Sequence, residues 1–134
     1  DVDGDSDLDL VAGFRYYPGE YLIMFENDGS SYVPNSTLQG LAPFGTGPNA
    51  PAFANIDGDA DLDLFLGETI GSADTYISFF RQDAAGDFSL ETGSANPFDG
   101  IPFGDYGAPV FVDLDNDGDL DAIVGRNYFK YGLG

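Results

Sequence analysis

A thirteen-residue pattern occurs three times in this chain and constrains its fold more than any other feature. The copies span residues 1–13, 55–67 and 113–125. Each copy has an oxygen-bearing side chain at its first, third, fifth, seventh and ninth positions, an apolar residue at its second and eighth, and then three apolar residues and a glycine. Carboxylates packed this closely repel one another unless a cation lies among them. The pattern therefore predicts three metal-binding loops, which we call loop 1 (1–9), loop 2 (55–63) and loop 3 (113–121).

The donor atoms of these loops favour calcium. Calcium accepts a wide and slightly irregular shell of oxygen ligands, which neighbouring carboxylates and backbone carbonyls can supply, whereas magnesium requires a tight octahedron and retains its waters. The chain contains no His and no Cys, and zinc, copper and iron sites are therefore disfavoured. We expect calcium to be the cofactor, with up to three sites, one in each loop.

The loops do not follow the EF-hand pattern, which requires Gly at the sixth loop position and Glu at the twelfth. Only Gly118 meets the first requirement, and the twelfth positions are Ala12, Leu66 and Val124. Each loop also leads directly into a short apolar run that ends in glycine, which predicts a strand and not a flanking helix. An EF-hand is therefore excluded.

The spacing of the loops predicts the architecture. They begin at residues 1, 55 and 113, which are 54 and then 58 residues apart, a repeat length typical of one propeller blade. The repeat extends beyond the loops, because segment 50–57 resembles 108–115 and segment 40–45 resembles 100–104. No segment has convincing helical periodicity. We predict an all-β fold of propeller blades, each with four antiparallel strands.

The repeat also predicts the domain organisation. We expect a single repeat region over residues 1–134, with a partial first blade at 1–49, a second blade at 50–107 and a partial third blade at 108–134, whose third strand would begin at 128–131. This is about two and a half blades, whereas a closed propeller needs about four to eight. Open blades present strand edges that pair with other strands. We therefore expect a piece of a larger propeller, or, as the less favoured interpretation, several chains that complete one another.

One motif in this repeat resembles a known family. Phe103-Gly104, a short gap, Gly107-Ala108-Pro109, one strand and then an aspartate loop are similar to the FG-GAP repeat of integrin alpha-chain propellers and to the related VCBS repeats of secreted bacterial proteins. A second Phe-Gly pair, Phe44-Gly45, precedes loop 2, but an insertion interrupts the Gly-Ala-Pro element that follows it. The resemblance covers nearly the whole chain and implies a calcium-binding β-propeller.

The resemblance also implies specific ligands. In that family the loop binds calcium through the side chains at positions one, three, five and nine and through the backbone carbonyl at position seven. By position, the implied ligands are Asp1, Asp3, Asp5 and Asp9 with the Asp7 carbonyl; Asn55, Asp57, Asp59 and Asp63 with the Asp61 carbonyl; and Asp113, Asp115, Asp117 and Asp121 with the Asp119 carbonyl. Because the side chain of Asn55 is neutral, we expect loop 2 to bind calcium somewhat more weakly.

The loops depart from the family pattern at the sixth position, where a glycine is frequent. Only Gly118 supplies it, and Ser6 and Ala60 replace it in the other two loops. Gly4 and Gly58 lie two residues earlier.

The charge of the chain excludes several classes of partner. It has 4 Lys plus Arg against 24 Asp plus Glu, for a formal net charge of −20, and the three loops hold 14 of the 24 acids. Such a chain repels phosphate groups, which disfavours nucleic acid and anionic membrane partners. No apolar run approaches the roughly 18 residues of a transmembrane helix, so no membrane insertion is expected.

Two further features bear on modification and catalysis. Asn35-Ser36-Thr37 is an N-glycosylation sequon, which makes Asn35 a candidate glycosylation site if the protein passes through a eukaryotic secretory pathway. A catalytic metal needs an open coordination position beside an acid, base or nucleophile, and no such constellation is visible. We therefore predict no enzyme, no catalytic residues and no cofactor-binding residues apart from the metal ligands.

These observations predict a calcium-binding extracellular repeat protein, secreted or at the cell surface, with a structural, adhesion or recognition role. Loosely built oxygen sites fill at millimolar calcium but poorly at cytosolic levels, which favours the extracellular location. The expected partners are calcium and a protein or glycan ligand, or further copies bound through open blade edges. One alternative is a subunit of an extracellular filament or surface assembly. A second is an accessory or catalytic propeller of a polysaccharide-acting enzyme.

Overall fold

The computed structural model describes residues 1–16, 19–38, 41, 50–70 and 74–127, and in these ranges the protein is almost entirely β. Three antiparallel sheets follow one another along the chain. Sheet 1 contains β1 (Leu10–Tyr16), β2 (Gly19–Asn27) and β3 (Tyr32–Asn35); sheet 2 contains β4 (Ala50–Ala54), β5 (Asp63–Ile70), β6 (Asp74–Gln82) and β7 (Phe88–Glu91); sheet 3 contains β8 (Asp105–Val112) and β9 (Asp121–Asn127). The one helical element in these ranges is the short 3-10 turn Gly93–Ala95.

The strands of each sheet pair in chain order, and all pairs are antiparallel. Sheet 2 has the four strands expected of one blade, and the open sheets on either side fit a partial propeller. The predicted all-β fold with antiparallel sheets is therefore confirmed. Loop 1 precedes β1, loop 2 connects β4 to β5, and loop 3 connects β8 to β9.

One predicted boundary falls within a strand, and two features of the sequence lie outside the described residues. The predicted boundary between residues 107 and 108 lies inside β8, because that strand already begins at Asp105. The predicted strand at 128–131 and the Phe44-Gly45 pair lie outside the described residues.

The first hydrophobic core lies between sheets 1 and 2. Successive side chains of a strand point to opposite faces, so Leu64 and Leu66 of β5 face sheet 1, whereas Phe65 faces sheet 3. The buried members of this core are Val2, Leu22, Met24, Leu38, Leu64, Leu66 and Phe80. The apolar residue at the second position of loop 1 therefore anchors that loop to the contact between the two sheets.

The second core lies between sheets 2 and 3 and is mainly aromatic. Phe65 is fully buried, stacks on Phe79 at a centroid distance of 4.7 Å and contacts Phe111 of β8 at 4.4 Å. Phe98 and Phe103, from the segment between β7 and β8, pack against the same cluster. Aromatic pairs of this kind stabilise a core beyond the area that they bury.

The Phe103-Gly104 pair joins sheet 3 to the edge of sheet 2. The backbone N–H of Phe103 donates to the carbonyl of Thr75 at 2.9 Å, and the N–H of Thr75 donates to the carbonyl of Gly104 at 2.6 Å. Gly104 has a φ of +75°, which glycine adopts without steric cost. The pair therefore turns the chain next to β6 while the Phe103 ring enters the core.

Gly107 allows the two sheets to approach closely. A Cβ atom on Gly67 of β5 would clash with the carbonyl group of Gly107, and a Cβ on Gly107 would lie 3.0 Å from Cγ2 of Thr75. Gly67, which ends the second copy of the thirteen-residue pattern, and Gly107 of the Gly-Ala-Pro element are thus in contact. Their spacing in the sequence reflects the packing of neighbouring sheets.

Candidate metal centres

The three aspartate loops have the same backbone conformation. In each loop the fourth and sixth residues have positive φ values, which most side chains disfavour. The fourth residues are Gly4 (82°), Gly58 (81°) and Asn116 (61°), and the sixth residues are Ser6 (82°), Ala60 (83°) and Gly118 (97°). Each loop therefore has glycine at only one of two positions that favour it. The sequence pattern drew attention to the sixth position, whereas the structure shows that the fourth has the same requirement.

Local hydrogen bonds fold the side chains at odd positions back over the loop. The carboxylate of Asp5 accepts from the N–H of Asp7 at 2.8 Å, and Asp59 accepts from Asp61 at 3.0 Å. In loop 3, Asp117 accepts in the same way from Asp119 at 2.9 Å. Such contacts are typical of Asp and Asn in turns. They use only part of the acceptor capacity of each ionised carboxylate.

The ninth residue closes each loop. Oδ2 of Asp9 accepts from the N–H of Val2 at 2.6 Å, and Oδ1 accepts from the N–H of Asn27 on β2 at 3.0 Å. Asp63 repeats this arrangement with the N–H groups of Ile56 at 3.4 Å and Gln82 at 3.0 Å. In loop 3, Asp121 accepts from the N–H of Leu114 at 3.0 Å. The ninth carboxylate therefore connects the start of its loop to its end, and also connects loop 1 to β2 and loop 2 to β6.

Carboxylates converge in loops 1 and 3. Ligand oxygens of Asp1, Asp3 and Asp9 lie within 4.8 Å of one another, and so do those of Asp113, Asp115 and Asp117. Oδ1 of Asp113 is buried and accepts no hydrogen bond from the described residues. A buried anionic oxygen without a partner is unfavourable unless a cation is close to it. The residues of these two loops therefore fit a hard divalent cation.

The remaining predicted side chains of these two loops lie outside the convergent groups. Asp5 and Asp7 are not members of the group in loop 1, and Asp119 and Asp121 are not members of the group in loop 3. For Asp7 and Asp119 this agrees with the backbone role that the family resemblance implies. Their assignment as ligands remains a prediction.

Loop 2 differs from the other two. No three carboxylates converge in it, although all of its residues are described. The carboxylate of Asp57 instead forms an ion pair with Arg81, whose Nη1 lies 2.7 Å from Oδ2 of Asp57. The sequence analysis missed Arg81, because 24 residues separate it from Asp57 and only the pairing of β5 with β6 brings it to the loop.

Burial and like charges raise two pKa values in these loops. Burial raises the pKa of Asp63, and the charges of Asp57 and Asp59 raise it further, while the hydrogen bonds from the two backbone N–H groups lower it. The pKa of Asp3 is raised mainly by loss of hydration and also by the charges of Asp5, Asp9 and Glu26. Both shifts mean that the ionised form is disfavoured without a compensating cation.

The candidate glycosylation site has structural contacts. The side-chain nitrogen of Asn35, the atom to which a glycan would be attached, donates to the carboxylate of Glu26 at 2.8 Å. Its carbonyl oxygen accepts from the N–H of Thr37 at 2.8 Å and from the Thr37 hydroxyl at 2.6 Å. These contacts favour a structural role for Asn35, and its glycosylation stays a prediction.

Comparison with known families agrees with the repeated loops and with the blade architecture. Residues 1–66 match the family model described as FG-GAP-like repeat. The chain therefore contains an FG-GAP-like repeat region. The matched residues run from loop 1 through loop 2 and into β5. No curated protein and no solved structure gives a significant match.

The matched family has typical properties that bear on function. FG-GAP repeats are typically extracellular, and the family is typically non-catalytic. In the part of the chain that the structure describes, no helix has the length and apolar character needed to cross a membrane.

Proposed function

We propose that this FG-GAP repeat protein binds calcium in its aspartate loops and serves as a structural part of an extracellular propeller that acts in adhesion or recognition. The observation that carries the proposal is the convergence of three carboxylates in each of loops 1 and 3, with a buried oxygen of Asp113 that has no hydrogen-bond partner among the described residues. A calcium ion supplies the positive charge that such a group of oxygens requires.

The proposed role of the loops is mechanical. Loops 2 and 3 reverse the chain between antiparallel strands, and the ninth carboxylate of each is hydrogen-bonded within its own loop. The side chains at loop positions one, three, five and nine hold the metal, and the residue at position seven contributes its backbone carbonyl. Once repulsion among the carboxylates is removed, the strands on either side keep the register that packs Phe65 against Phe111. The metal is therefore proposed to stabilise the packing of the blades and not to take part in a reaction.

The proposed partners are a protein or glycan ligand in the extracellular space. The net charge of −20 disfavours nucleic acid and anionic lipid surfaces. Extracellular calcium is abundant enough to fill exposed oxygen sites of modest affinity. Binding experiments with the calcium-loaded protein and a panel of extracellular proteins and glycans test this proposal.

Thermal melting with and without calcium tests the proposal. We expect millimolar calcium to raise the melting temperature of metal-depleted protein, because an ion that binds only the folded state stabilises it by mass action. Magnesium at the same concentration should have a much smaller effect. The Asp115→Asn variant should lose part of the calcium response, whereas Asp99→Asn, which removes one exposed charge outside the loops, should keep it. Identical melting curves with calcium and with a chelator would disprove the role of the metal.

A second candidate function is that of a subunit in an extracellular filament or surface assembly. Sheets 1 and 3 expose large apolar side chains, including Leu10 (52% exposed), Val110 (57%) and Ile123 (49%). Exposed apolar patches commonly mark protein–protein contacts. Negative-stain microscopy and sedimentation of the calcium-loaded protein distinguish the two candidates, because filaments would favour the assembly and discrete particles would favour the recognition module.

A further inference from the structure

Strand β2 of sheet 1 and strand β6 of sheet 2 carry opposite charges at equivalent positions. Asn27 on β2 and Gln82 on β6 are structurally equivalent, because each donates its backbone N–H to Oδ1 of the ninth aspartate of its loop at 3.0 Å. The preceding residues are therefore equivalent as well. They are Glu26 in sheet 1 and Arg81 in sheet 2.

The residue that contacts Glu26 or Arg81 also differs between the two sheets. Two residues before Glu26, Met24 pairs with Asn35 on β3. Two residues before Arg81, Phe79 pairs with Glu91 on β7. In sheet 1 the Asn35 side chain donates to the Glu26 carboxylate at 2.8 Å, whereas in sheet 2 Nε of Arg81 lies 3.6 Å from Oε1 of Glu91. The acid and its amide partner in one blade are replaced by a base and an acidic partner in the next.

The charges at these two positions act on the third residue of their loops. The charge of Glu26 acts on Asp3, which belongs to the convergent carboxylates of loop 1. The guanidinium of Arg81 instead contacts Asp57, the equivalent of Asp3 in loop 2, at 2.7 Å. Loop 2 also has one carboxylate fewer, because Asn55 stands at its first position. Loop 2 therefore has less negative charge to neutralise and a positive group already in contact with it.

We propose that the guanidinium of Arg81 is the resident counter-cation of loop 2, which keeps its conformation without calcium, while loops 1 and 3 bind the metal. A calcium ion bound by Asp57 would have to displace Nη1 of Arg81 or lie beside its positive charge, and both are unfavourable. This inference rests on the proposed calcium-binding function of the other two loops. It replaces three equivalent sites with two metal-dependent loops and one metal-independent loop in the central blade.

The loop backbone is consistent with this assignment. Like loop 1, loop 2 has positive φ values at its fourth and sixth positions. Its ninth aspartate also accepts hydrogen bonds from the second loop residue and from β6, as the ninth aspartate of loop 1 does from the second loop residue and from β2. Its conformation therefore does not depend on a convergent set of three carboxylates. The ion pair with Arg81 links the loop to β6, next to the hydrogen bond from the Gln82 N–H to Asp63.

Calcium stoichiometry of the 134-residue chain tests the proposal. Equilibrium dialysis against micromolar to millimolar calcium, with metal analysis of the protein, should give about two ions per chain for the unmodified protein. The double variant Arg81→Gln with Asn55→Asp should bind about three, because it frees Asp57 and restores a fifth carboxylate in loop 2. Arg81→Lys keeps the positive charge and should leave the count unchanged.

The matched exchange in sheet 1 provides the reverse test. Glu26→Arg places a guanidinium opposite Asp3 and should reduce the count to about one, whereas Glu26→Gln should not reduce it. If the Glu26→Arg variant fails to fold, the single variant Arg81→Gln still tests the proposal. In calcium-free buffer it should melt at a lower temperature than the unmodified protein, and calcium should raise its melting temperature by a larger amount.

The outcomes separate this inference from the proposed function. A count of about three in the unmodified protein that does not change on substitution of Arg81 would overturn the assignment of Arg81, while leaving the calcium function intact. No bound calcium in any variant would overturn both.

Discussion

Ala60 has a backbone conformation that its own side chain disfavours. Its φ of 83° lies in the left-handed region, where a Cβ costs about 1–2 kcal/mol. Glycine would remove this cost, although it would also increase the conformational freedom of the unfolded chain. We expect Ala60→Gly to raise the free energy of unfolding by about 0.5–1 kcal/mol. Denaturant unfolding at fixed calcium concentration measures the change.

A matched control exists in the same blade. Ala85 lies in the exposed turn between β6 and β7 and is not among the residues with positive φ. Ala85→Gly should therefore lower stability slightly, because only the unfolded-state effect remains. An equal loss of stability in both variants would show that the backbone of loop 2 is not strained at residue 60.

At the scale of the strands, the contact between Gly67 and Gly107 determines how closely sheets 2 and 3 pack. Any side chain on Gly67 would meet the carbonyl of Gly107, a backbone group that cannot move without shifting β8. We expect Gly67→Ala to cost about 3 kcal/mol, as in other overpacked cores, and to expose part of the cluster around Phe65. Thermal unfolding and binding of a hydrophobic dye would report the loss of stability and the exposed apolar surface.

Gly125 provides the control, because it is the equivalent glycine of the third repeat. A Cβ at this position would lie 3.8 Å from the carbonyl of Ala108, which is an ordinary contact. Gly125→Ala should therefore change stability by about 0.5 kcal/mol or less. If Gly67→Ala lowered stability as little as Gly125→Ala, close packing of Gly67 against Gly107 could not be the reason for the motif.

Gly67 and Gly107 show how far the sequence could predict the fold. Carboxylates at every second position, glycines and apolar runs are local signals, and they were sufficient to predict all-β blades and the position of each loop. The contact between Gly67 and Gly107, and the ion pair between Asp57 and Arg81, join residues distant in the chain. Such contacts depend on strand register and on the packing of one sheet against another, which local patterns do not specify.

The candidate sites were predictable to a similar degree. The spacing of the aspartates identified which side chains could act as ligands, because the loop conformation is encoded within nine residues. It did not distinguish loop 2 from loops 1 and 3 beyond the substitution of Asn55. The further difference comes from Arg81 on β6, whose charge reaches the loop only after the hairpin has formed.

At the scale of the whole molecule, hydrogen bonds connect the first two loops. The side-chain nitrogen of Gln82 donates to the carbonyl of Val2 at 3.0 Å, and its backbone N–H donates to Asp63. Val2 in turn donates its N–H to Asp9. The ninth carboxylates of loops 1 and 2 are thus joined through two residues, both buried. Changes of charge in one loop therefore act on the contact between two blades and not only on a local turn.

The net charge and the loop carboxylates predict an opposite pH dependence with and without calcium. Asp63 and Asp3 have folded-state pKa values above their ordinary values, so in the metal-free protein their ionised forms destabilise the folded state at neutral pH. Protonation removes this penalty as the pH falls through the raised pKa values toward the ordinary value. We expect metal-free protein to become more stable as the pH is lowered from neutral toward the ordinary aspartate value of 3.8, an effect that the relief of general charge repulsion increases.

Calcium-loaded protein should show the opposite trend over the same pH range. Calcium binds the ionised carboxylates of loops 1 and 3, including Asp3, so protons compete with the metal there and acidification removes its stabilising effect. Melting temperatures measured in acetate and neutral buffers, with protein stripped of metal on a chelating resin and with protein in millimolar calcium, give the two slopes. Parallel slopes would mean that calcium does not bind Asp3, the proposed ligand whose pKa is raised. If the melting temperatures with and without calcium converge at low pH, protons and calcium neutralise the same carboxylates.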